Sequence, residues 1–240
     1  MEKAEHNFKE TGHKVPVWDV ATRLFHWTLV TLIVLAFVTN NFADKIGFNW
    51  HKINGYAILA LVFFRLMWGI WGSSTSRFIN FVKPFAAIRY FLEMFSGKGK
   101  HYLGHNPAGA MMIVALLLVV AAQAISGLFT ADDISMMLFA GPFASDVSES
   151  TAEWMSYFHR IGPNLIIALV CIHVLSNIAY AVLKRDGMIT AMVTGCKKSG
   201  NYSDAQSARL SHQGLAFTCF VFSAAVVFGI VYLWGDAPFL

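Results

Sequence analysis

Histidine is the side chain best suited to binding a metal while uncharged, and here it recurs where the sequence is most apolar. His159 and His173 stand fourteen residues apart in one hydrophobic segment. On a helix that is nearly four turns, so both imidazoles share a face, about 21 Å apart along the axis. His26 opens a second apolar segment and His51 a third. Histidine inside a membrane is costly and points to function, and neutral imidazole is a common axial ligand of haem iron. One helix offering a ligand near each surface of a hydrocarbon core about 30 Å thick is what two stacked haems would need.

Such ligands need a membrane scaffold, and the composition provides one. Apolar residues make up 56% of the 240 residues and charged residues 13%, with mean hydropathy +0.54. Soluble domains carry about 25% charged residues. Five stretches, 24–42, 52–72, 109–130, 157–183 and 213–234, are long and apolar enough to cross a bilayer. With the N-terminus in the cytoplasm, fourteen of the eighteen Lys and Arg fall on the inner side, as the positive-inside rule requires. The C-terminus is then periplasmic. The net charge of +4 reflects that topology and gives no sign of nucleic-acid binding. No cleavable signal peptide is expected, because Asp19 and Arg23 lead straight into a span that also holds His26. Cys171, Cys196 and Cys219 share no oxidising compartment, so no disulfide is expected, and the absence of Cys-x-x-Cys-His excludes covalent haem attachment.

Depth along the spans pairs the four histidines. His26 and His173 belong near the inner face, and His51 and His159 near the outer. No carboxylate or thiolate joins either pair, which disfavours zinc. Arg65 follows His51 by fourteen residues and so projects from the same face at the inner level, where a haem propionate or backbone carbonyls would engage it. Arg23 is a second propionate candidate, or snorkels to lipid phosphate. Lys52 and Arg160 are placed to serve the outer haem. Gly55 and Gly127 leave room for a flat macrocycle or for helix contact. Pro163 cannot donate to the His159 carbonyl, so it should kink the fourth span or mark its start.

Three connecting regions carry further signals. The inner stretch from Gly72 to Pro107 contains an amphipathic pattern (Phe78, Phe81, Phe85, Ile88, Leu92) interleaved with Arg77, Lys83 and Arg89, suited either to the headgroup layer or to packing on the bundle. Asn106-Pro107 reads as the cap and first turn of the third span. His101 and His105 share a spacing of four, but Gly104 and Asn106-Pro107 argue for a loop over a metal site, and His6, His13 and His212 lie in polar flanks. The outer stretch 131–155 carries Asp132, Asp133, Asp146, Glu149 and Glu153 without Lys or Arg. It reads as a docking face for a basic partner or as a solvated loop.

Taken together, Trp18-Asp19, Arg23, His26-Trp27, His51, Gly55, Arg65, Trp68-Gly69, the stretch Gly104-His105-Asn106-Pro107-Ala108-Gly109, His159 and His173 resemble the bacterial cytochrome b561 family. The closer likeness is to its branch related to the b-type cytochrome subunit of nickel–iron hydrogenase. The resemblance covers residues 15–198. It implies a four-helix bundle binding two b haems through His26, His51, His159 and His173 and exchanging electrons with membrane quinone. Span 213–234 lies outside that core.

The expected protein is thus an all-α membrane protein of the bacterial inner membrane. A cytoplasmic segment 1–23 precedes a di-haem domain 24–198, and 199–240 forms a linker and an added helix. It would carry electrons between quinone and a periplasmic c-type cytochrome or hydrogenase-like protein, surrounded by lipid and compatible with a homodimer. Two rival readings are an enzyme that oxidises superoxide and reduces quinone, and a proton or metal transporter using the histidines as a relay.

Overall fold

The structure, a computed structural model, describes residues 13–95, 101–131, 140–184 and 186–236. His6, Lys3, Lys9, Lys98, Lys100, Asp132, Asp133 and Arg185 lie outside the described residues. Among the described residues, five helices are long and apolar enough to span a membrane. They are α1 (Val20–Asn41), α3 (Asn49–Trp71), α6 (Pro107–Leu128), α7 (Glu149–Lys184) and α9 (Gln213–Trp234). Short helices α2 (Ala43–Ile46), α4 (Phe78–Phe81), α5 (Pro84–Phe95) and α8 (Met188–Thr194) lie in the connections. Apolar sequence becomes helical here because hydrocarbon offers no partner for backbone groups, and a helix satisfies them internally.

Polar caps set where the long helices begin. Asp19 Oδ1 accepts from Thr22 N at 2.6 Å to start α1. Asn106 Oδ1 accepts from Gly109 N at 2.7 Å, with Pro107 in the first turn of α6, as the Asn-Pro pair predicts. Ser148 Oγ accepts from Thr151 N at 3.3 Å ahead of α7. That cap corrects one expectation: α7 starts at Glu149 and runs 36 residues, with Pro163 inside it. At about 1.5 Å per residue it is about 54 Å long and outreaches the hydrocarbon core. Glu149 and Glu153 therefore belong to a helix and not to a loop.

Helix α3 is the hub. It packs against α1, α6 and α9, while α7 packs on α6. Its Leu61, Phe64 and Trp68 meet Phe25 of α1, Leu117 of α6 and Ala216 and Cys219 of α9. Ile58 and Val62 meet Val120 of α6 and Ile166 of α7. On α9 the buried positions Ala216, Cys219, Ser223, Val227 and Val231 form one narrow face of small residues that lets the backbones approach. Leu118, Leu175 and Phe217 point outward, as lipid-facing side chains should.

At the end of the bundle where α1, α6 and α9 begin, an element appears that the all-α expectation lacked. Strands β1 (Lys14–Pro16) and β2 (Cys196–Lys198) pair antiparallel, Val15 opposite Lys197. Val17, Trp18, Leu103 and Ala191 form a small core beside this ribbon. The predicted amphipathic stretch is divided into α4 and α5, because Pro84 cannot continue a helix but can open one. Phe81, Ala87 and Tyr90 are buried, whereas Ile79, Phe85, Ile88 and Leu92 are strongly exposed. One face packs on α6 and the other is left for lipid.

Lys197 and Asp186 are both buried and ion-paired, and Lys197 Nζ also donates to Tyr102 O at 3.1 Å. Burial pushes the Lys197 ammonium down from its ordinary range, with Asp186 opposing that shift. Replacing Lys197 by Met strands a buried carboxylate and should cost about 3–5 kcal/mol, whereas adding Asp186→Leu should recover most of the loss. Thermal unfolding of the detergent-solubilised variants checks this, and a single variant as stable as the double would contradict it.

Candidate functional site

His51, in the first turn of α3, and His159 of α7 meet at the end of the bundle opposite the ribbon. Their ring centres lie 6.2 Å apart with planes at 86°. His51 Nδ1 lies 3.1 Å from Ala36 O and 3.3 Å from Thr39 Oγ1. His159 Nδ1 lies 2.9 Å from Gln123 O. A carbonyl oxygen only accepts, so each Nδ1 carries its proton and each Nε2 keeps a free lone pair. Both rings would then be able to hold a metal through Nε2.

These rings line a cavity of about 720 Å³, within the roughly 300–1,000 Å³ usual for cofactor sites. Lys52 and Arg160 line it too, as do Gly55 and Gly127. A Cβ on Gly55 would meet nothing within 4 Å, so it would project into the open space. One on Gly127 would come within 2.8 Å of His159 Cε1. Gly127 thus makes room for the imidazole itself, and Gly55 for whatever lies beside it.

Gln123 of α6 is the site residue that sequence reasoning missed. Besides its carbonyl bond to Nδ1, its side-chain Nε2 donates to His159 O at 2.9 Å. That carbonyl is the one Pro163 cannot serve. Helix α7 therefore passes through Pro163 unbroken because α6 supplies the missing donor. Gly162 allows the approach, since a Cβ there would lie 1.9 Å from Gln123 Oε1. The available signal was one amide in the middle of an otherwise apolar span.

His26 of α1 and His173 of α7 are close enough to act on each other electrostatically near the ribbon end. His26 Nδ1 is buried with no hydrogen-bond partner. Asn177 Nδ2 donates to His173 O at 2.7 Å and lies 3.4 Å from both ring nitrogens. Arg65, 3% exposed, has its guanidinium 4.7 Å from the Phe78 ring centre, and its Nη1 is buried without a partner. Asp19 is the carboxylate whose field reaches it. Arg23 Nη1 donates to Val193 O at 2.7 Å in the last turn of α8, while its Nε is buried without a hydrogen-bond partner. His105 sits beside this group, pushed down to about 3 by burial and then by the charge of Arg65.

The family model of prokaryotic cytochrome b561 matches residues 17–195, three-quarters of the chain. The chain belongs to the prokaryotic cytochrome b561 family. Its members are membrane b-type cytochromes that transfer electrons, so the protein is a multi-pass membrane protein that binds b-type haem. No curated protein matches the chain. The match ends just before β2 and leaves α9 outside it. The residues present fit the cofactor: two imidazoles with Nδ1 tethered and Nε2 left to bind a metal line one cavity at one end, and a buried guanidinium nitrogen of Arg65 lacks a partner at the other.

Gln123→Leu should leave the His159 carbonyl unserved, costing about 1–3 kcal/mol and weakening haem retention about 10–100-fold. Gly55→Leu should block the same cavity while leaving the fold intact. Haem per chain after detergent dilution checks both, and parent-like retention in Gly55→Leu would contradict the assignment of the cavity.

Proposed function

We propose that the chain is a transmembrane electron carrier with two bis-histidine b haems, His51/His159 at one end of the bundle and His26/His173 at the other. The observation that carries this reading is the His51–His159 geometry, with both Nδ1 atoms held by main-chain carbonyls. Bound there by His51 and His159, a b haem would supply one-electron chemistry. His159 and His173 share the continuous helix α7, so the two sites are about 21 Å apart along it, set to relay charge between the two faces.

The chain's own residues then have distinct tasks. The four imidazoles hold the irons, Lys52 and Arg160 face the carboxylates at one end, and Arg65 faces those at the other. Arg23 Nη1, bonded to Val193 O, braces α1 against α8. The ribbon end carries most of the basic residues and is the cytoplasmic face of the bacterial inner membrane, with the C-terminus periplasmic. Quinone on one side and a c-type cytochrome or hydrogenase-like protein on the periplasmic side are the redox partners of this reading.

The tethered Nδ1 atoms favour a carrier over a proton relay. A relaying imidazole accepts at one nitrogen and releases at the other, and a proton committed to a main-chain carbonyl has no onward acceptor. Lys52 and Arg160 would also attract a small anion such as superoxide, which keeps an oxidase of that anion as the second reading.

Proteoliposomes with quinol in the bilayer and an impermeant one-electron acceptor in the lumen test the proposal. The parent should reduce the acceptor, and His26→Ala and His51→Ala should each abolish that transfer. A parent rate no higher than that of empty vesicles would reject the carrier. Adding superoxide outside, without quinol, distinguishes the second reading by luminal reduction.

A further inference from the structure

The loop before α6 holds a histidine that neither haem pair uses. Asp204 accepts from Leu103 N at 2.6 Å and from Gly104 N at 3.1 Å, and Asn106 caps α6, so His105 stands between two anchored points. Its ring lies 4.5 Å from Trp18 and 4.9 Å from Phe81, centre to centre, which fixes its plane. Its Nδ1 is buried with no hydrogen-bond partner. Arg65 lies over the Phe78 ring at 4.7 Å, and Phe78 packs on Phe81 at 5.7 Å, so guanidinium and imidazole stand along one aromatic wall.

Three more buried donors at this end lack partners: Arg65 Nη1, Trp18 Nε1 and Arg23 Nε. The nearby carboxylate of Asp19 accepts instead from Thr22 N, Trp68 Nε1 and Ser76 Oγ, and none of the three donors has a hydrogen-bond partner. Burying an unpaired donor costs about 1–3 kcal/mol, and more when it is charged. A cluster of donors short of acceptors is what a bound carboxylate would satisfy.

We propose that His105 Nδ1 and Arg65 Nη1 together hold one carboxylate, a propionate of the haem at His26/His173, with Trp18 and Phe81 aiming the imidazole. This rests on the reading of His26 and His173 as a haem site. Arg65 supplies the charge, and His105 adds a directed hydrogen bond. The Gly-His-Asn-Pro stretch thus acquires a role that its lack of any haem ligand left open. His105 is a cofactor-positioning residue, tuning the iron through the propionate.

The test uses the intact haem-loaded protein, with the propionate carbons ¹³C-labelled. His105→Phe keeps the aromatic sandwich and removes the donor, and His105→Gln keeps a donor. Expected in His105→Phe are an unchanged haem count, a shifted ¹³C-carboxylate band in the redox-difference infrared spectrum, and a lower midpoint potential for one haem. His105→Gln should move both back toward the parent. Bands and potentials identical to the parent in His105→Phe would overturn the proposal. So would loss of haem in both variants alike, which would assign His105 to packing alone. A parent with no haem dependent on His26 would instead remove the underlying site, and the haem count of the parent and of His26→Ala reads that separately.

Discussion

The His51 and His159 rings, 6.2 Å apart in an apolar bundle, each require a main-chain carbonyl to anchor the Nδ1 proton. Much of the architecture at that end follows from this requirement. Ala36 of α1 and Gln123 of α6 supply the anchoring carbonyls, so α1, α3, α6 and α7 must meet at one level. Gly127 is small because the His159 ring occupies its side-chain space. Pro163 is tolerated because Gln123 takes the carbonyl it abandons. Remove the ring pair, and these choices lose their common reason.

The ribbon end is built on a different principle. There the histidines are less tightly tethered, and the surroundings are rich in polar groups. Asp19 ties α1 to Trp68 of α3 and to Ser76. Asp204 ties the segment after β2 to the loop before α6, and Lys197–Asp186 ties β2 to the chain that follows α7. This clasp encloses a surplus of donors, Arg65 foremost, and so presents positive potential where a carboxylate-bearing cofactor would end. Helix α9 closes one side of α3 through small residues.

The sequence made legible whatever repeats along a helix or stands alone against an apolar background. Five apolar runs foretold five spanning helices, and Asn106-Pro107 foretold a helix start. His51 and His159 were paired by depth alone, and the structure brings their rings together. Less legible were features made by partners distant in sequence. Strands β1 and β2 are three residues each and separated by most of the chain, so neither shows a period. Gln123 looked like one polar residue in a span until His159 and Pro163 arrived opposite it. Arg23 stands one turn before His26 and so invited a propionate role; its Nη1 donates to Val193 O of α8, an element unseen in the sequence, while its Nε stays buried without a partner. His105 read as a loop residue, which it is, and only the fold sets it beside Arg65.

The proposed electron relay requires two haems held by two specific histidine pairs. Its most direct test is a quantitative haem count per chain, by alkaline pyridine difference spectra, in the parent and in His51→Ala and His26→Ala. Two b haems in the parent and one in each variant is the predicted result. One haem in the parent, or a count that ignores His51, would contradict it.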